Sequence, residues 1–290
     1  MPEIRNPAAD ELHQRGRNVL HAQTRALDAL IHDLHLLDHD MDKPAIRIPL
    51  LMLQAVGVSM HSVLALTLSR DMAIRDGFGI ARSAVETAVN AAYISVGGEP
   101  VAERAIRHMR QKRWRDLSRE SNSGGWQMRV SQNVGLTPGD LPPGLTEALD
   151  EYTNKRGREV RDWTPASVEE RIDVVADRCK RAGLCFGAAA FAIYRPSSEL
   201  LHGTYYGVTY FWQGSGERPS NSREAFDRMW LLDHFATLLS ALFFSVSAAI
   251  DAISTVFDLP EHAKRQDELA QMLTQLIDDM NRAEWTFDGS

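Results

Sequence analysis

Apolar residues recur at three- and four-residue spacing through most of the 290-residue chain, and no sustained run of alternating β-branched residues interrupts them. A helix buries one stripe at that spacing, whereas a half-buried strand needs a period of two, so the pattern predicts an all-α, multi-helix bundle. Leu20, Leu27, Leu30, Ile31, Leu34, Leu37 and Met41 form the first stripe, in a helix over about 9–41 that Pro44 and Pro49 end. Helices are predicted next over about 49–70, 79–96 and 100–120, with Asp76-Gly77-Phe78-Gly79 and Gly97-Gly98-Glu99-Pro100 as the turns between them. The stretch 121–144 is rich in Gly, Pro, Asn and Ser without a period, and reads as a long loop inserted into the bundle, a candidate mobile cover. Thr164-Pro165 and the capping box Ser167-x-x-Glu170 start a middle helix that should end near Gly183. Short helices to Gly203, a Tyr-rich connector, a long helix over about 221–257 and an acidic one over about 261–283 complete the order. Helices on both sides of the loop need one another to bury their faces. One helical domain over 1–290 is therefore expected, with a core at about 45–257 and the terminal helices packed on it.

Composition excludes several classes. At 44% hydrophobic and 24% charged, the chain is neither a disordered tail, a collagen-like fibre nor a disulfide miniprotein. A net charge of -7 argues against a surface that grips nucleic acid all over, but leaves local basic patches open. Cys179 and Cys185, with five residues between them, make neither a CxxC pair nor a paired zinc knuckle, and read as reduced thiols. The first ten residues, MPEIRNPAAD, lack the basic-then-apolar run of a secretory peptide, so a cytoplasmic protein is expected. The apolar stretches 48–69 and 235–250 read as buried helices and no membrane partner is expected: Gln54 and His61 interrupt the first, and the second is sixteen residues with four hydroxyl side chains.

The densest chemistry lies in Tyr194-Arg195-Pro196-Ser197-Ser198-Glu199-Leu200-Leu201-His202-Gly203. Seven helical steps from Arg195 to His202 fall about 20° short of two turns, so both side chains share a face, with Ser198 and Glu199 between them. A cation, a hydroxyl, a carboxylate and an imidazole so grouped suit acid/base work on a phosphodiester, with Arg holding the anion and His moving the proton. The same spacing also serves a structural seam in which Glu199 pairs Arg195 and His202 caps a carbonyl. Pro196 biases Arg195 out of the helical region, toward a cap. A second cluster, Arg82 and Glu86 four residues apart with Asn90 and Tyr93 on the same side, interrupts an apolar helix.

Arg82-x3-Glu86, Trp163 with Pro165, and Tyr194-x3-Ser198-x3-His202-Gly203 together resemble an all-helical bacterial domain family of uncharacterised function, over roughly residues 50–245. More distantly, Arg195-x6-His202 is similar to the Arg-x(4 to 6)-His signature of the HEPN superfamily (higher eukaryotes and prokaryotes nucleotide-binding). That resemblance implies a metal-independent ribonuclease, often a homodimer and often a toxin or phage-defence effector, with RNA as partner and no cofactor. It makes Arg195 and His202 the catalytic pair and Ser198 and Tyr194 hydrogen-bonding auxiliaries, with Arg82, Glu86 and Glu199 in support.

Other patterns carry different chemistry. Glu199-x-x-His202 has the spacing that diiron bundles use on two helices; one copy is present, and Glu86 would be a lone carboxylate from another helix. His32, His35 and His39 follow Asp28 on one helical stripe as metal-ligand candidates, on the side away from Leu27, Leu30 and Leu34 and so toward solvent. Residues 101–119 carry seven Lys or Arg against two acids, and Arg104, Arg107 and Arg115 could track a phosphate backbone while the aromatics of 205–212 supply stacking faces. The nine acids after residue 250 could instead cover this basic helix. A non-enzymatic binding or scaffold protein with a structural polar seam is the alternative to the enzyme.

Overall fold

The computed structural model of the chain describes residues 7–37, 42–131, 141–213, 220 and 222–283. It is an all-α multi-helix bundle with one small two-stranded sheet. The order is α1 (Pro7–Leu36), α2 (Pro44–Leu66), α3 (Ile74–Gly97), α4 (Glu99–Asp116), β1 (Ser118–Ser123), β2 (Trp126–Ser131), α5 (Leu145–Glu151), α6 (Val168–Arg178), α7 (Lys180–Leu201), α8 (Tyr205–Gln213), α9 (Arg223–Met229), a π-helical turn (Trp230–Phe235), α10 (Ala236–Phe257) and α11 (Pro260–Arg282).

The centre is α10, buried from Leu238 to Ser254 on almost every side, with α3, α7, α1 and α11 packed around it. Its length of apolar sequence leaves no polar stripe to face water, so it must be enclosed. The carboxylate it does carry, Asp251, is 2% exposed and is gripped by Arg181 from the first turn of α7 (Nε–Oδ2 2.6 Å, Nη2–Oδ1 2.5 Å). The same guanidinium bonds Asp267 and the Ala263 carbonyl of α11, so one fork joins three helices. Burial without that partner would leave a carboxylate stranded in apolar surroundings. Gly183, two residues on, has no room for a Cβ against Ala176, which lets α6 and α7 close as a tight helical hairpin.

A second polar knot holds the corner between α2 and α3. The last carbonyls of α2 lack intrahelical donors; Arg17 donates to Leu64 O (2.5 Å) and His13 to Thr67 O (2.8 Å), both from α1. Arg70 in the corner pairs with buried Asp227 (3.1 Å) and with Asp10 (2.6 Å), and Trp230 donates its indole N–H to Asp71 O (2.8 Å). Burial lowers the His13 pKa, so the ring is a neutral donor there.

Several expectations need correction. The predicted turn at Asp76–Gly79 lies inside α3: Gly77 serves not as a breaker but as a close approach, where a Cβ would stand 3.3 Å from Leu238 Cδ2. Pro49 does not start α2 but lies within it, because Pro44 already occupies the first turn and Pro49 costs a single early bond. The middle helix breaks at Cys179, not near Gly183, and a single 22-residue helix follows it to Leu201. The Tyr-rich connector is the helix α8. Most of all, the start of the expected loop 121–144 is the hairpin β1–β2, turned by Gly124 (φ 56°) and Gly125 (φ 80°), as a two-residue hairpin with positive φ at both central positions requires. Residues 132–140 of that loop lie outside the described residues. Two helical runs, Pro44–Leu66 and Arg223–Phe257, are long and apolar enough to cross a membrane, and in the second 78% of the apolar window is buried inside the bundle.

Replacing Arg181 by Met should destabilise the fold by about 3 kcal/mol, because the Asp251 carboxylate stays buried without its fork. Urea unfolding at pH 7 measures this; an unchanged midpoint would show that Asp251 finds another partner.

Candidate functional site at the end of α7

Lys180–Leu201 runs as one helix through Pro196. Proline removes the N–H that would bond Ala192 O, and its ring crowds that carbonyl. Beside the lost bond, Ser197 sends its hydroxyl to Ile193 O (2.5 Å) and Tyr194 O (3.2 Å), which satisfies the neighbouring acceptors. Arg195 is therefore helical, correcting the cap expected from Pro196, and its guanidinium lies 6.0 Å from the ring centre of Tyr206 on α8. His202 is the C-cap residue, its N–H bonded to Ser198 O (3.0 Å) and its ring exposed. Arg195 and His202 are thus both open to solvent at the end of one helix, with Ser198 half-buried between them. Glu199 accepts from the Thr204 hydroxyl (2.6 Å), which fixes the turn into α8; the expected Glu199–Arg195 pair is not what the carboxylate makes.

Behind this face, Arg82 and Glu86 of α3 pair at 3.1 Å, and the Arg82 guanidinium stacks on the Tyr194 ring at 4.9 Å. The Tyr194 hydroxyl is enclosed without a hydrogen bond among the described residues, and burial, then the nearby Glu86 charge, raises its pKa. Asn90 accepts from Arg171 of α6, and Tyr93 meets Trp163 edge-on at 6.0 Å. Tyr194 is therefore brought to Arg82 and Glu86, whereas His202 stands apart from them in solvent. Arg171 was missed in the sequence because nothing in its local pattern separates it from any other helix-surface arginine.

Alongside Tyr194 and Arg195, α6 and α7 leave an open groove of about 1060 Å³, lined by Val168, Ile172, Ala176, Leu184 and Phe191 among others. Phe191 is 91% exposed and Leu184 76%, which is far from the usual placement of such side chains. Beyond it, Tyr205, Tyr206 and Trp212 of α8 carry exposed aromatic surface.

The three candidate arginines of α4, Arg104, Arg107 and Arg115, are engaged within the chain. Arg107 pairs with Glu151 at 2.5 Å and Arg104 with the same carboxylate at 3.4 Å; Arg115 donates to the Thr153 hydroxyl (2.9 Å), and Lys112 pairs with Glu159 (2.5 Å). The acids that answer the basic helix come from α5 and the segment after it; those after residue 250 that pair do so elsewhere, Asp279 with Arg15 and Asp267 with Arg181. His32 and His35 are exposed on α1, and the His35 Nδ1 is bonded to Ile31 O (2.8 Å); His39 lies outside the described residues. Among the described residues no group of three or more His, Cys, Asp or Glu side chains is placed to hold a metal ion.

One further residue emerges from packing alone. His234, in the π-helical turn, is fully buried among Tyr210 (5.0 Å between ring centres), Phe211 (5.1 Å) and Phe78 (6.2 Å), with neither ring nitrogen hydrogen-bonded among the described residues. Burial pushes its pKa down to about 4. The unfolded chain therefore takes up a proton before the folded one does, so stability that is complete above about pH 6.5 is lost as the pH falls toward 4. Between pH 7.5 and 5, wild type should lose about 2 kcal/mol more than His234→Leu. Parallel pH dependences of the two proteins in urea titrations would refute this. Comparison with protein-family models, with curated proteins and with solved structures finds no match to this chain.

Proposed function

We propose that the protein is a metal-independent, HEPN-like endoribonuclease that cleaves single-stranded RNA with Arg195 and His202. The observation that supports this most is the open placement of both side chains on one end of α7, where a phosphodiester can approach either. His202 takes the proton from a ribose 2′-hydroxyl as its oxygen attacks the adjacent phosphorus. Arg195 grips the phosphate oxygens as charge develops there, and the departing 5′-oxygen takes a proton from solvent. Ser198, between them, supplies a hydroxyl at the edge of the site, while Tyr194 under Arg82 braces the helix from behind.

A second reading, a non-enzymatic binding protein, is favoured by the apolar groove between α6 and α7, whose exposed Phe191 and Leu184 suit a packed partner. Under the ribonuclease reading the occupant of that face is a second copy of the chain. Light scattering should then give a dimer for wild type and a monomer for Phe191→Glu; a monomeric wild type removes the homodimer.

With EDTA present, wild type should cut a single-stranded RNA, His202→Ala should lose cleavage while keeping RNA binding, and Arg195→Lys should fail because a point charge does not reproduce the guanidinium fork. Cleavage by His202→Ala at the wild-type rate would remove His202 from the mechanism. No cleavage by wild type, with Tm lowered in both variants, would favour the binding protein.

A further inference from the structure

The hairpin β1–β2 leaves the bundle as an arm, touching it chiefly through the end of α4. Register places Trp126 opposite Ser123, Met128 opposite Ser121 and Val130 opposite Arg119, so these six residues share one face. That face has an apolar row left exposed among the described residues: Trp126 is 78% exposed, Met128 58% and Val130 39%. A lone two-stranded hairpin gains little stability in water, and an uncovered apolar row on it needs a reason other than folding.

Charge identifies the occupant. The whole chain carries a net -7, yet residues 110–131 hold six Lys or Arg (Arg110, Lys112, Arg113, Arg115, Arg119, Arg129) against two acids, Asp116 and Glu120, a local +4. Where the arm meets α4 a cleft of about 670 Å³ opens, its charged lining Lys112, Arg115, Arg119 and Arg129 against the acids Asp116, Glu120 and Glu159. Lys112 is paired with Glu159, but Arg119 lies 3.6 Å from exposed Asp116 in a loose surface contact, and Arg113 and Arg129 are exposed. Such a surface attracts a polyanion.

Spacing selects the kind of polyanion. Side chains on one face of a strand repeat every ~6.7 Å, about twice the ~3.4 Å rise between stacked bases. A flat base therefore fits between Trp126 and Met128, with its own phosphates toward Arg119 and the basic end of α4. An acidic protein satisfies the charge but offers no flat group for that slot, and a base can enter it only when unpaired. We infer that the β1–β2 arm is a docking site for single-stranded RNA, stacking a base on Trp126 and holding phosphates with Arg119, which shares that face. The choice of RNA over DNA rests on the ribonuclease reading; the stacking and phosphate contacts do not.

The test is fluorescence anisotropy with a fluorescein-labelled 16-nucleotide oligouridylate, in EDTA, on the full chain carrying His202→Ala so that the probe stays intact. Adding Trp126→Ala should weaken binding roughly tenfold or more. Adding Arg119→Ala should lower the slope of log affinity against log salt by about 0.7, because one phosphate of the single strand is then no longer neutralised. These exposed substitutions should leave Tm unchanged, so a loss of binding is not a loss of fold. Binding unaffected by Trp126→Ala, an unchanged salt slope, or Trp126-dependent binding of polyglutamate in place of RNA overturns the inference; equal affinity for oligothymidylate overturns RNA as the ligand. Cleavage is scored separately on the protein with His202 intact. Binding that depends on the arm without any cleavage retires the ribonuclease reading alone, whereas cleavage with arm-independent binding retires the arm alone.

Discussion

A carboxylate inside an apolar bundle must have a fork around it, and the grip of Arg181 on Asp251 is the constraint on which the rest of this architecture hangs. Because α10 is enclosed along most of its length, its one buried acid fixes where the first turn of α7 can lie, and the further bonds from Arg181 to Asp267 and Ala263 O bring α11 to the same point. From that pin α7 runs 22 residues, about 33 Å at 1.5 Å per residue, with α6 folded back on it through the close contact at Gly183. Its inner side is consumed by α3 and α10. Its outer side is left over.

What the outer side carries is unusual for a surface helix: an apolar groove beside α6, then Arg195 and His202 at the far end next to the aromatics of α8. Continuity through Pro196 matters here, since a break at that proline would have turned Arg195 away from the end of the helix. The hydroxyl of Ser197 and the Glu199–Thr204 bond stabilise the passage and the turn that follows it. The polar group behind, Arg82 with Glu86 and Tyr194, gives α3 and α7 a directional contact where apolar packing would allow sliding. The β1–β2 arm is built differently. Its described side chains lie outside the core, and its apolar row is exposed among the described residues.

Much of the fold was legible because it depends on local rules. The capping box at Ser167 and Glu170 is formed as its spacing predicts, and the long apolar run became the central helix, since nothing but enclosure suits such a sequence. Glycine and proline misled where tertiary contact overrides local preference: Gly77 makes room for Leu238, and Pro196 is carried by a hydroxyl one residue away. The arm left a signal that the Gly/Pro richness of its neighbourhood masked, namely Gly124-Gly125 followed by alternating Trp126, Met128 and Val130. At the site, a helix running up to His202 was legible from the residues around it, but the partners were not. That Glu199 turns to Thr204, that Arg104 and Arg107 are claimed by Glu151, and that His234 is sealed among aromatic rings are results of long-range packing, which no local spacing encodes.

The central claim is that the open end of α7 receives RNA. Carbon–proton NMR of the histidine imidazoles, during titration with a 2′-O-methyl RNA that cannot form the attacking oxyanion, addresses it directly. The account predicts that the His202 ring resonances move and saturate while those of His32 and His35, exposed on α1, stay in place. His202 resonances unmoved when the RNA is fully bound would contradict it.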